Sequence, residues 1–145
     1  MMTKEVMVTI AGFHMAENDE DTIEMVHVGE YYERNGTHYI LFEERMEGIS
    51  EPVKNRIKIK ENKVEMQKRG PVAARMVFEA HKSQSSTYTI PYGSFLIEIY
   101  TVDVGLQVEE DRILTTASYE LNVNGVHCAS CNVRILAESR KTFRL

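Results

Sequence analysis

Hydrophobic and polar positions alternate along most of this chain with a period of two. Val53, Asn55, Ile57 and Ile59 alternate with Lys54, Arg56, Lys58 and Lys60, which predicts a strand with one apolar face and one basic, wet face. Ile113, Thr115, Ala117, Tyr119, Leu121 and Val123 alternate with a mostly polar set, and Phe95, Ile97, Ile99 and Thr101 do the same. Val6, Val8 and Ile10 open the chain in this manner. Asn35-Gly36 and Asn124-Gly125 fall between such runs, and Asn-Gly suits a two-residue hairpin because both residues tolerate positive φ. Glu61-Asn62 makes a third break. The pattern predicts about ten strands, near 4–13, 22–34, 37–46, 53–60, 63–69, 72–80, 85–91, 94–104, 112–123 and 126–138, with acidic loops at 14–21 and 105–111.

Nearly every connection reads as a hairpin, so the simplest topology is an antiparallel meander. An open meander of this size leaves two long edges, and closing it into a barrel removes them. One segment has two readings. In 71–80, Val72, Ala73, Met76, Val77 and Ala80 fall on one helical face and Pro71 suits a first helical turn, so a short helix competes with a strand.

Composition narrows the class. The 145 residues suit one domain, 1–145, with 43% hydrophobic and 27% charged side chains. No apolar run approaches the roughly 18 residues that cross a bilayer, and the start has no signal-peptide core. The expectation is a soluble, cytoplasmic protein without a membrane partner. Two cysteines make no disulfide framework. The net charge of −5 argues against nucleic-acid binding, but it is unevenly spread. Residues 1–51 carry 3 basic and 12 acidic side chains, and residues 52–82 carry 9 basic and 3 acidic ones. Opposite charges on neighbouring strands explain this division, and a local anion patch is the alternative.

Several motifs bear on chemistry. Cys128-Ala129-Ser130-Cys131 has the spacing of a redox pair or half a zinc site, but it lies inside a strand pattern. Residues three apart in a strand face opposite ways, which places Cys131 in the core and Cys128 outside. His14, His27, His38, His81 and His127 show no metal-ligand spacing. No nucleotide-loop or nucleophile-elbow motif is present, so no metal and no cofactor are expected. Tyr88, Pro91, Tyr92 and Gly93 form a group in which Pro91 ends or bends a strand and Tyr92 reaches a barrel mouth, or packs in a tight turn. Arg69 before Gly70 forks onto an anion if it points inward, or pairs with a glutamate. The many methionines suit an adaptable pocket or core gaps.

Lys68-Arg69-Gly70, Met76-Val77-Phe78, the run Tyr88-Thr89-Ile90-Pro91-Tyr92-Gly93 and Leu96 to Thr101 form a longer pattern. Gly29-Glu30-Tyr31-Tyr32 and Phe42-Glu43-Glu44 stand upstream of it, and Ser118-Tyr119-Glu120-Leu121 downstream. This pattern resembles the YwiB-like family of small bacterial proteins of unknown function, over about residues 4–138. The resemblance implies a calycin-type barrel, similar in shape to lipocalins and fatty-acid-binding proteins, and makes 72–80 a strand. It implies no activity.

The expected fold is therefore all-β, a single antiparallel up-and-down barrel of eight to ten strands. Three functions fit it. The first is binding of a small apolar or amphipathic molecule in the lumen, with Arg69, Tyr88 and Tyr92 as polar anchors. The second is a filled barrel that works through its outer face, by the basic strand 53–60 or as a homodimer, with Tyr31, Phe42, Phe78, Phe95 and Tyr119 filling the lumen. The third, ranked last, is an enzyme using a lumen tyrosine and carboxylate.

Overall fold

A computed structural model of the chain describes residues 2–12 and 24–140. The period-two pattern becomes ten strands: β1 Glu5–Ala11, β2 Glu24–Arg34, β3 Thr37–Glu44, β4 Val53–Lys60, β5 Lys63–Arg69, β6 Ala74–Glu79, β7 Ser83–Ile90, β8 Gly93–Val108, β9 Arg112–Val123 and β10 Val126–Ser139. Each expected strand among the described residues is present. The ambiguous segment 72–80 is a strand, because Ala74, Met76 and Phe78 face inward opposite Lys68, Met66 and Val64 of β5. The loop expected at 14–21, with His14 and Met15, lies outside the described residues. Among the described residues no helix is long and apolar enough to cross a membrane.

All neighbours are antiparallel, in the order β6-β5-β4-β3-β2-β1-β10-β9-β8-β7. The meander thus closes on itself through β1 and β10, with Val6 opposite Ser139 and Ile10 opposite Ile135. The remaining two strands, β6 and β7, face each other across a seam. One bridge spans it: Ala73 N donates to Thr89 O at 3.0 Å and Thr89 N to Ala73 O at 2.8 Å. Nearer the 80–82 turn the Ser86 hydroxyl donates to Arg75 O at 2.6 Å. The turn itself is stitched to β8, since His81 N donates to Thr101 O at 2.8 Å and Thr101 N to Lys82 O at 3.1 Å. His81 takes φ 65° to do so. The turn therefore leans on β8, and β6 and β7 do not form a ladder along their length. The result is a nearly closed ten-stranded barrel.

Two bulges adjust the alternation. One between Thr101 and Asp103 shifts the phase of β8, so that Val104 and Leu106 continue the inward face begun by Ile97 and Ile99. This bulge carries the strand through 105–108, where the sequence predicts a loop. The other, between His127 and Ala129, makes Cys128 the extra residue of β10. Cys131 is buried, as expected, but Cys128 is half-buried against the core, not on the outer face. The two cysteines are not joined in a disulfide.

Inward side chains from eight strands make one core. At mid-height Phe78 of β6 and Tyr119 of β9 cross the interior and meet with ring centroids 4.8 Å apart. Ile40, Ile57, Ile59, Ile97, Ile99 and Ile135 pack around them, all buried. Branched side chains at period two suit this closed, pleated wall. The Tyr119 hydroxyl hydrogen-bonds the Cys131 thiol, and burial, helped by Cys131, pushes its phenol far above the ordinary range.

Candidate functional site

The inward face changes character at one end of the barrel. That end is where β1, β3, β5 and β7 finish and β2, β4 and β6 begin. The aliphatic series of β4 gives way to Asn55, that of β5 to Lys68 and that of β3 to Glu44, while β2 contributes His27 and β7 contributes Tyr88. Direct cross-strand register sets Asn55 opposite both Phe42 and Lys68.

Lys68 organises the group. Its ammonium donates to Glu44 Oε1 at 2.9 Å and to Asn55 Oδ1 at 2.8 Å. The Asn55 amide donates in turn to Glu44 Oε1 at 3.4 Å and to Val53 O at 3.3 Å. The Lys68 and Glu44 side chains are only 13% and 15% exposed, so this pair is largely out of water. Burial works to raise the Glu44 pKa, but the hydrogen bond and charge of Lys68 outweigh it and hold the carboxyl below its usual range.

His27 completes the mouth. Gly29 stands bare opposite Phe42, where an added Cβ would lie 2.8 Å from Leu41 O. The imidazole of His27, one step further on the same face, stacks on the Phe42 ring at 4.5 Å. Burial lowers the His27 pKa; Glu44 opposes this and Lys68 adds to it. Burial thus favours the neutral ring. Together with Ile10, Met25 and Met66 these groups line a recess of about 40 Å³. Tyr88 stacks on Phe95 with centroids 5.9 Å apart, and burial and then the Glu44 charge raise its pKa.

Chemically the mouth offers a donor beside an acceptor. An ammonium has three N–H groups. Two of those on Lys68 are taken, and no described residue accepts the third. Glu44 is held ionised beside Tyr88, the opposite of the raised carboxyl that general-acid chemistry needs. Among the described residues, no group of three or more His, Cys, Asp or Glu is placed to hold a metal ion.

The anchors named from sequence are dispersed. Tyr88 faces the lumen at this mouth. Arg69 follows the inward Lys68 and so points out, where it lines a groove on the barrel's outer face. Tyr92 sits in the turn between β7 and β8 with 95% of its surface exposed and touches no part of the mouth. Lys68, Glu44, Asn55 and His27 were not anticipated as a site. The available signal was a polar residue on an apolar face: Asn55 among Val53, Ile57 and Ile59, and Lys68 after Val64 and Met66.

Fold and mouth define a small antiparallel barrel with a closed core and a polar mouth. The chain matches the family described as Domain of unknown function (DUF1934) over residues 8–135, and it belongs to that family. Its fold is similar to that in the crystal structure of ywiB protein from Bacillus subtilis, with a TM-score of 0.75, 20% identity, and coverage of 95% of this chain and 94% of that one. No curated protein matches the chain significantly.

Proposed function

We propose that this barrel binds a small amphipathic molecule by its polar head, at the mouth formed by Lys68, Glu44, Asn55 and His27. The observation that carries this reading is the nearly dry Lys68–Glu44 pair at the end of an apolar core. Stability alone does not call for such a pair, since apolar residues of similar volume usually serve as well or better. A neutral head with donor and acceptor side by side fits best: a carboxamide oxygen accepts from Lys68 and its N–H donates to Glu44. The recess holds little more than such a head, and Met25, Met66 and Ile10 line it for the adjoining carbons. The lumen below is filled, so the molecule sits at the mouth and is not swallowed. The reading takes the protein to be cytoplasmic, and needs no cofactor.

The test is titration with linear primary amides of increasing chain length, followed by amide NMR shifts. Shifts centred on Lys68, Asn55 and His27 that vanish in Lys68→Met support the reading. Shifts elsewhere, equal shifts in the variant, or none at all overturn it.

A second reading, that the barrel works through its outer surface, is favoured by the Phe78–Tyr119 contact that closes the lumen.

A further inference from the structure

The outer face of β1 to β5 holds a groove of about 630 Å³. Its walls have opposite charge. Glu5, Glu30 and Glu43 stand on β1, β2 and β3, whereas Lys54, Arg56 and Arg69 stand on β4 and β5. The register sets Glu43 beside Lys54 and Lys54 beside Arg69, so the change of sign falls between β3 and β4. This is the uneven charge of the sequence laid out in space.

Apolar residues stand among the acidic ones on β2 and β3. Val28 is 54% exposed and Leu41 half-buried, and along the same faces of β2 and β3 Tyr32 stacks on Tyr39 at 4.6 Å. Arg56 Nη2 lies 3.6 Å from Glu65. An apolar strip rimmed by charge is the composition of a protein contact surface.

From this we infer that the groove pairs with the same groove of a second copy of this chain, across a two-fold axis parallel to the β3–β4 boundary. The inference takes up the outer-surface reading, and its test leaves the mouth untouched. A two-fold along the strands exchanges left and right as it brings the sheets face to face. The acidic wall of each copy then meets the basic wall of the other, with Leu41 of each copy beside the axis. A two-fold at right angles to the strands would set acid against acid and base against base. The charge pattern thus selects one of the two arrangements, and a closed isologous pair follows from it.

Sedimentation velocity on the full chain tests this, from low micromolar to about 1 mM, at low and high salt. The expected result is a species of twice the 16.7 kDa chain mass, weakened by salt. Arg69→Glu places an anion in the basic wall, and Glu43→Lys places a cation in the acidic wall. Each variant alone is expected to dissociate at least tenfold more readily, with an unchanged melting temperature confirming the fold. An equimolar mixture of the two is expected to dimerise more tightly than either alone, because the intact acidic wall of one then faces the intact basic wall of the other. A wild-type chain that stays monomeric throughout, a dimer indifferent to both reversals, or a mixture that fails to reassociate overturns the inference.

Discussion

Lys68 and Glu44 meet at 2.9 Å although a whole strand, β4, runs between the strands that carry them. The contact is possible because Asn55, at the intervening position, is short and offers both an acceptor and a donor. A leucine there would fill the space over which the ammonium reaches. The pair is therefore a three-strand arrangement, and its removal exposes which member depends on which.

Lys68→Met is expected to cost about 2 kcal/mol, because it leaves the largely buried Glu44 carboxylate without its cation. Lys68→Met with Glu44→Leu is expected to recover most of that loss. Urea unfolding of the wild type, both single variants and the double variant measures the coupling. A double variant as unstable as the sum of the singles would show that the two side chains act independently.

Stability is expected to fall in two stages as the solution is acidified. His27 has its pKa lowered by burial from the ordinary 6.5, so the unfolded chain takes up that proton first, and stability declines as pH drops below about 6.5. Glu44 and Glu65 are also lowered. At Glu65 burial opposes the shift, and the hydrogen bond and charge of Arg75, with Lys58 and Arg56, outweigh it. Their contribution is complete above the usual carboxylate pKa and is lost as pH falls through the folded values. Unfolding free energies at stepped pH check the order, and His27→Gln is expected to flatten the upper stage alone.

Phe78→Ala is expected to cost about 3–5 kcal/mol, the range for removing a buried ring from a packed interior. Tyr119→Phe keeps the ring contact and loses only the bond to Cys131, and about 1 kcal/mol is expected. Chemical denaturation distinguishes them. Comparable losses would mean that the hydroxyl, not the ring contact, holds mid-barrel together.

The seam carries its own signature in hydrogen exchange. Thr89 N points toward β6, so by alternation the amides of Ser85 and Thr87 point there too, while those of Ser86 and Tyr88 point to β8. With no ladder between β6 and β7, Ser85 and Thr87 are expected to exchange faster than Ser86 and Tyr88. Uniform protection along β7 would show a closed seam in solution.

The strands were legible because alternation is a local property: a residue's side of the sheet follows from its neighbours two positions away. What failed was anything that breaks the count. The bulge at Thr101 to Asp103 restarts the phase of β8 and hides its last residues, and the bulge at Cys128 rolls an outer thiol toward the core. The site was less legible for a related reason. Arg69 draws attention as the longer, forked cation, yet one position decides which of Lys68 and Arg69 enters the barrel, and the inward run Val64, Met66 assigns it to Lys68. That Glu44 would meet Lys68 across β4 required the curvature of the whole sheet, which no local pattern contains. Tyr88 is inward by the same alternation, whereas Tyr92 lies in a turn, where alternation does not apply.

The pairing of β1 with β10 also governs the order in which the barrel is made. Strands β2 to β6 can zip onto β1 as they leave the ribosome, each beside the strand before it. The other edge of β1 has no partner until β10 has been synthesised, because residues 134–139 of that strand pair with it directly. Until then the nascent chain holds a growing curled sheet with an open edge at β1, and β10, the tenth strand, is the one that covers it. Such long-range closure is slow, and the nascent edge is the point at which the unfinished chain is exposed to aggregation.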